Sequence, residues 1–147
     1  MITLDELQSS WHKDCKIDEL NLGHESTKTP ELHSKYLNYL TTFKLQLRKY
    51  ESQKLTMRRL KWRYFRGELT KEELDELGWE QYLGNSPLNN QMADFLDSDP
   101  NIIKLDDKVE YIKTCAYQCE TIMKSLNSRT WDIKNSIEFM KFTNGGF

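Results

Sequence analysis

The stretch that decides the fold is DPNIIKLDDKVEYIKTCAYQCETIMKSLNSRTWDIKNSIEFMKF, residues 99–142, which has one proline, Pro100, at its start and no glycine. From Ile102 to Met140, the residues that follow one another at alternating intervals of three and four positions are apolar with one exception. This spacing predicts a long helix with an apolar seam along one side. The seam consists of Ile102, Leu105, Val109, Ile112, Ala116, Cys119, Met123, Leu126, Ile133, Ile137 and Met140, with Thr130 as its one polar position.

Two kinds of partner for this seam remain open. One is a second long helix of the same chain. The other is further copies of the chain, which we favour because Tyr111, Cys115, Ile122 and Trp131 widen the apolar face beyond a single seam. We therefore predict an all-α fold of long helices whose C-terminal heptad-repeat helix, residues 99–147, forms an oligomer seam. Aspartate at Ile112 or Leu126 is then expected to disperse the assembly.

The rest of the chain, residues 1–98, is predicted to form an N-terminal helical DNA-binding region. Residues 4–14 show helical spacing behind Thr3, a suitable N-cap, and residues 16–30 resemble a connector that Pro30 ends. Residues 31–66 contain neither glycine nor proline, so we expect one long helix closed by Gly67. Shorter helices are predicted at 70–77, where Thr70 and Glu73 have capping-box spacing, and at 88–98.

Charge is strongly segregated along a chain whose formal net charge is only −2. Residues 44–66 carry nine basic side chains and one acidic, a local net charge of +8, whereas residues 68–110 carry twelve acidic and three basic side chains, a local −9. A segregation of this size predicts a polyanionic partner for the basic segment. The acidic segment could also cover the basic one within the same chain and lower its affinity for that partner.

The segment RRLKWRYFRG, residues 58–67, combines five basic and three aromatic side chains. Single-stranded nucleic acid accepts both, because its backbone is anionic and its unpaired bases stack on rings. The alternatives are docking of the basic helix on a calmodulin-like protein or a membrane surface, and inward packing of the rings. The predicted DNA-binding residues are Lys54, Arg58, Arg59, Lys61, Trp62, Arg63, Tyr64 and Arg66.

No arrangement of residues predicts catalysis. The three histidines are scattered, there is no glycine-rich phosphate loop, and Cys115 and Cys119 lie one helical turn apart without further ligands at metal spacing. We expect a non-enzymatic protein with no metal and no cofactor. The chain has three cysteines, an odd number that fits a reducing compartment, and it shows no apolar run of membrane-spanning length and no secretory signal. We therefore expect a cytoplasmic protein.

Several segments carry a resemblance to a known family. The chain resembles the UvsY family of large tailed bacteriophages in four segments. They are LDELQSSWHKDCKID, HSKYLNYL, YESQKLTMRRLKWRYFRG and the heptad helix with IKLDDKVEYI. The resemblance covers roughly residues 4–66 and 98–142. It implies an all-helical recombination mediator that assembles into a ring, a heptamer in the family, largely through its C-terminal helix.

The resemblance also implies partners. The family binds single-stranded DNA, destabilises the complex of that DNA with the phage single-strand-binding protein, and loads the phage RecA-like recombinase. A basic pair that matters for DNA binding in the family falls here on Arg59 and Lys61. If the chain is phage-encoded, its compartment is the host cytoplasm. The alternative from the residues alone is a coiled-coil scaffold or adaptor whose basic helix docks an acidic protein partner.

Overall fold

The computed structural model describes residues 1–145 and contains five helices and no strand in that range. The all-α prediction is therefore confirmed. The predicted C-terminal region extends to residues 146 and 147, which lie outside the described residues. The helices are α1 (Leu4–Asp14), α2 (Leu22–Phe65), α3 (Lys71–Leu77), α4 (Asn89–Asp97) and α5 (Pro100–Thr143).

Helix α1 begins as predicted, behind Thr3. The Thr3 hydroxyl accepts a hydrogen bond from the Glu6 amide at 3.2 Å, and the Glu6 carboxylate accepts one from the Thr3 amide at 2.9 Å. Each residue thus satisfies one backbone donor that the first turn leaves unpaired. Leu7, one residue after Glu6, is the fully buried residue of this helix. The reciprocal cap therefore stabilises the turn of α1 that packs into the core.

Helix α2 begins nine residues earlier than predicted, at Leu22, and Pro30 lies inside it. The expected connector before Pro30 was wrong because a tertiary contact supports this turn. The Arg129 guanidinium of α5 donates to the Glu25 carbonyl at 2.5 Å and to the Thr29 hydroxyl at 2.7 Å. Pro30 has no amide to donate to the carbonyl four residues before it, and the bonds from Arg129 anchor the neighbouring Glu25 and Thr29 to α5.

The other predicted helix boundaries are confirmed. Gly67 ends the last turn of α2 with φ +69°, and the Glu68 amide donates to the Arg63 carbonyl at 2.9 Å. The Thr70 hydroxyl caps α3 by accepting from the Glu73 amide, and Gly78, with φ +70°, closes that helix. The Asp99 carboxylate accepts from the amides of Asn101 and Ile102 at the start of α5.

The chain folds into two compact units, and both long helices contribute to each. The first unit contains Met1–Gln46 and the chain from Ile112 onward, and the second contains Leu47–Tyr111. The largest buried side chains of the first unit include Leu7, Tyr36 and Phe43. The core of the second is Met92, Leu96 and Ile102, with Met57 and Phe65 packed against it. These two units do not coincide with the predicted regions 1–98 and 99–147. That prediction divides the chain by function and stays a proposal.

The heptad seam of α5 is largely covered within the single chain. Ile112 and Leu126 are both buried in the core of the first unit, so the aspartate substitutions expected to disperse an assembly would also disrupt that core. The part of the seam left at the surface is its C-terminal end. Buried seam residues are Ile102, Val109, Ile112, Ala116, Cys119, Leu126 and Ile133; Leu105, Met123 and Ile137 are half-buried, and Met140 is exposed.

Cys119 illustrates the apolar character of this seam. Its side chain is fully buried, and burial raises the pKa of its thiol to about 11. A fully buried cysteine with a neutral thiol behaves as a small hydrophobic residue. Cys119 therefore acts as a small apolar side chain of the helix packing.

The first unit is held by a buried ion pair that spans 104 residues of sequence. Arg129 and Glu25 form it at 2.6 Å, with both side chains almost completely buried. Lys28 also contacts the Glu25 carboxylate, at 2.9 Å. Removing one member of a buried pair leaves the other charge without its partner, which costs about 3 to 5 kcal/mol.

We expect Arg129→Met to lower the free energy of unfolding by about 3 kcal/mol, the lower end of that range because Lys28 still contacts Glu25. Urea unfolding followed by circular dichroism at fixed protein concentration measures this. Lys44→Met is the control, because its 3.7 Å pair with Glu120 is exposed and should be worth less than about 1 kcal/mol. Equal effects of the two substitutions would contradict the assignment.

A second prediction concerns acid stability. Burial alone would raise the pKa of Asp14, but hydrogen bonds from Lys35 and Tyr36 outweigh it and hold the pKa below its ordinary value of 3.8. A lowered pKa in the folded state stabilises the protein above the unfolded value, and this contribution is lost as pH falls through the folded value. Asp14→Asn should therefore be less stable than wild type at pH 7, and the difference should shrink below pH 3.8.

Urea midpoints between pH 3 and pH 7 test the Asp14 prediction. The control is Asp132→Asn, because Asp132 is an exposed residue of the same unit with no ion pair among residues 1–145. Its urea midpoints should follow those of wild type at every pH. A constant gap between Asp14→Asn and wild type over the whole range would contradict the ion-pair assignment.

Candidate nucleic-acid interface

The predicted DNA-binding residues lie on the second half of α2, within the second unit. Helix α3, helix α4 and the first turns of α5 belong to the same unit. The structure separates the predicted residues into two groups. One group faces the acidic side chains of these neighbouring segments, and the other faces solvent.

Two of the predicted cations pair with carboxylates near the start of α5. Lys54 contacts Asp106 at 2.5 Å, and Arg58 contacts Asp97 at 3.0 Å. All four side chains are substantially exposed, at about a third or more of their surface. Exposed pairs of this kind contribute about 0 to 1 kcal/mol, so these cations remain available to a competing anion.

Two further cations contact the segment after Gly67. Arg63 binds both carboxylate oxygens of Glu73, at 3.0 and 3.2 Å, and Arg66 bonds to the Asn89 side chain. The Glu73 carboxylate is thus engaged by Arg63, so of the Thr70–Glu73 capping box predicted for α3 only the bond from the Glu73 amide to the Thr70 hydroxyl forms. The predicted phosphate contacts Arg63 and Arg66 therefore have partners within the unit.

Lys61 has a different place from the one predicted for it. Its side chain is only 7% exposed, and it pairs with Asp99 at 3.1 Å beneath the Trp79 ring, whose centroid is 4.2 Å from the ammonium. A desolvated ammonium needs such a partner, because burial without one is costly. In this structure Lys61 holds the unit together, and a phosphate could reach it only if this pair opened.

The predicted stacking residue Tyr64 also packs inward. Its ring meets Phe65, Trp79 and Tyr82 at centroid distances of 5.4 to 5.7 Å, and its hydroxyl donates to the Glu80 carbonyl at 2.7 Å. Edge-to-face aromatic packing of this kind stabilises a cluster. The structure therefore leaves Trp62, 40% exposed, as the ring of this segment that faces solvent most openly.

The solvent-facing residues of this part of α2 form a second heptad-spaced line, which we call the outer stripe. Arg59 lies at its centre and makes no ion pair among residues 1–145. Arg59, Arg58, Trp62 and Leu55 line a shallow depression of about 300 Å³. The members of the outer stripe are the exposed Arg48, Ser52, Leu55, Arg59 and Trp62, and at its end the half-buried Arg66, which bonds to Asn89.

The outer stripe combines cations with apolar surface. Leu55 is 68% exposed, and the Arg66 guanidinium lies 5.4 Å from the centre of the Trp62 ring. The Arg66 Nε is buried with no hydrogen-bond partner among the described residues. A line of guanidinium groups beside an exposed indole can contact a phosphate backbone and stack a base at the same time.

Three members of this surface, Arg48, Ser52 and Leu55, were not predicted from the sequence. The signal was present, since residues 48, 55 and 62 recur every seven positions, as do 52, 59 and 66. It was not recognised because arginine, leucine and tryptophan alternate there, so neither a charge pattern nor an apolar pattern alone reveals the line.

Residues 1–145 contain no group of three or more histidine, cysteine or acidic side chains arranged to hold a metal ion. In the same part of the chain, no helix combines the length and the apolar character needed to cross a membrane.

Comparisons with known proteins agree on one family. The family model described as "Recombination, repair and ssDNA binding protein UvsY" matches residues 10–146. The recombination protein uvsY of Enterobacteria phage T4 is 25% identical over 142 residues, which cover 97% of this chain and 98% of that protein.

Solved structures give the same fold. A crystal structure of the bacteriophage T4 recombination mediator protein UvsY, lattice type II, superposes with a TM-score of 0.81 at 24% identity, covering 99% of this chain and 100% of that one. The lattice type I structure gives 0.79 at 23% identity, covering 93% and 98%. The family match spans nearly the whole chain. The chain is a member of the UvsY family of recombination mediators.

Proposed function

We propose that this protein binds single-stranded DNA along the outer stripe of α2 and helps to load a RecA-like recombinase in place of the single-strand-binding protein. The observation that carries the proposal is the solvent-facing pair of Arg59 and Trp62. Arg59 has no competing carboxylate in an ion pair among residues 1–145, and Trp62 offers an exposed ring next to it.

The residues of the site take different roles in this proposal. Arg48 and Arg59 neutralise phosphates, and Trp62 stacks on a base, a contact worth about 1 to 3 kcal/mol. The exposed, acid-paired Lys54, Arg58 and Arg63 join when DNA competes for them. Of the basic pair implied by the family resemblance, Arg59 makes the first contact and Lys61 supports the fold beneath it.

The proposal includes assembly into a homo-oligomeric ring, a heptamer by family resemblance. Exposed apolar side chains near the C-terminal end of α5 include Trp131, Phe139 and Phe142. Together with Leu20, Phe139 and Met140 line a depression of about 400 Å³. Repeating one weak DNA site around a ring makes later contacts intramolecular and raises the overall affinity.

We further propose that residues 1–98 carry the DNA-binding function and residues 99–147 the assembly function. The protein acts without catalysis, and it works in the host cytoplasm, where the phage recombinase and the single-strand-binding protein are its partners. The concentration of the outer stripe before residue 98 and of the exposed C-terminal rings after it supports this division.

Arg59→Ala should weaken binding to a fluorescent single-stranded oligonucleotide and make the slope of log affinity on log salt shallower by about 0.7, the value for one lost phosphate contact. Its melting temperature and oligomer mass should match wild type. Lys124→Ala, at an exposed lysine of the first unit, is the charge-matched control and should bind like wild type.

Lys61→Ala provides the contrast to Arg59→Ala, because it should lower the melting temperature by leaving Asp99 buried without its partner. If wild type instead bound single strands and duplex weakly with no salt dependence, the mediator proposal would fail. The adaptor alternative would then remain.

Phe139→Asp should reduce the oligomer mass in sedimentation without loss of helix content. Leu45→Asp is its matched control, since both side chains are 67% exposed in the single chain but only Phe139 lies at the proposed assembly surface. An unchanged mass for Phe139→Asp would place the interface elsewhere.

A further inference from the structure

The segment between α2 and α5 is almost uniformly acidic. Residues 68–99, which we call the acidic arm, contain nine acidic side chains and one basic, a net charge of −8. Three carboxylates of the arm contact three basic side chains that lie within two turns of α2. They are Asp97 on Arg58, Asp99 on Lys61 and Glu73 on Arg63, at 3.0 to 3.1 Å. The arm thus places anions on a helix that carries a local charge of +8.

We propose that the acidic arm is an intramolecular competitor of single-stranded DNA, so that DNA phosphates displace Glu73 and Asp97 from Arg63 and Arg58. The inference rests on the proposed DNA-binding function and adds a regulatory element to the same site. The Arg63 Nη2 donates to both carboxylate oxygens of Glu73, at 3.2 and 3.0 Å, and the same nitrogen can donate to phosphate oxygens. The carboxylate therefore occupies the position that a phosphate group would take.

The contacts of the arm differ in how easily they exchange. The Arg58–Asp97 and Arg63–Glu73 pairs keep a third or more of each side chain in solvent, whereas Lys61 and Asp99 are almost completely buried. Exposed pairs are weak and screened by salt, and buried ones are costly to break. DNA can thus displace the two outer contacts while the Lys61–Asp99 pair keeps the arm attached.

The position of Arg58 connects this exchange to the proposed DNA site. Arg58 lines the same depression as Arg59 and Trp62. A strand that binds first to Arg59 brings its neighbouring phosphate next to the Arg58–Asp97 pair. Each cation released from the arm then adds one phosphate contact, so the arm sets the affinity at which the strand is held.

The test removes the two competing carboxylates and leaves every cation in place. Glu73→Gln/Asp97→Asn should bind a fluorescent single-stranded oligonucleotide roughly 3- to 10-fold more tightly than wild type, since two exposed pairs no longer compete. Its salt slope should steepen by about 1.4, the value for two added phosphate contacts.

The control is Glu72→Gln/Glu76→Gln, which changes the net charge equally. Glu72 and Glu76 are exposed residues of α3, the helix that contains Glu73, and they make no ion pair among residues 1–145. This variant should show the small effect of reduced repulsion and keep the wild-type slope. Equal tightening and equal slopes for the two variants would overturn the competitor role.

The two proposals fail in distinguishable ways. If wild type binds single strands and Arg59→Ala weakens the binding, but Glu73→Gln/Asp97→Asn behaves like its control, then the arm is no competitor and the DNA-binding function stands. If neither wild type nor any of these variants binds, both proposals are overturned. If Glu73→Gln/Asp97→Asn binds single strands and wild type does not, the result would support an arm that blocks the site completely in wild type.

Hydrogen exchange on the unmodified protein gives a second test that needs no substitution. Saturating oligonucleotide should increase amide exchange in α3 and α4, where the arm loses contacts, and leave exchange in α1 unchanged. Unchanged or slower exchange throughout α3 and α4 would contradict displacement of the arm.

Discussion

The buried pair of Lys61 and Asp99 is the contact on which the second unit depends. Asp99 holds the Lys61 ammonium with one carboxylate oxygen and caps the start of α5 with the other, through the amides of Asn101 and Ile102. Trp79 covers the ammonium from the arm. One carboxylate thus joins α2, the arm and α5, and a buried charge pair of this kind tolerates few alternative arrangements.

This constraint explains how one short helix segment serves two purposes. An α-helix presents successive residues at about 100° intervals, so alternating cations are divided between opposite faces. The inner cations meet the acidic arm, and the outer stripe carries Arg59 and Trp62 to solvent. The local charge of +8 is therefore partly neutralised within the unit, and the exposed remainder is what the proposed DNA site uses.

Much of the fold could be predicted from sequence because its signals are local. The apolar period of α5, the Thr3 and Thr70 caps and the Gly67 stop all lie within a few residues of the structure that they determine. The start of α2 could not be predicted in this way. The turns before Pro30 are anchored to α5 by Arg129, about a hundred residues away, and local sequence carries no trace of that contact.

The candidate site shows the same limit at the level of single side chains. Arg59 and Lys61 are two residues apart and similar in charge, yet one faces solvent and the other is buried against Asp99. Trp62 and Tyr64 are divided in the same way by the aromatic cluster around Trp79. The sequence establishes that cations and rings occur together, whereas the side that each one faces depends on partners contributed by the arm.

The central claim is that single-stranded DNA lies along the outer stripe of α2. Photocrosslinking of a thiothymidine-containing oligonucleotide, followed by mass spectrometry of the crosslinked peptides, tests it most directly. We expect adducts concentrated between Arg48 and Arg66, with Trp62 among the modified residues. Adducts confined to the first unit, with none in that part of α2, would contradict it.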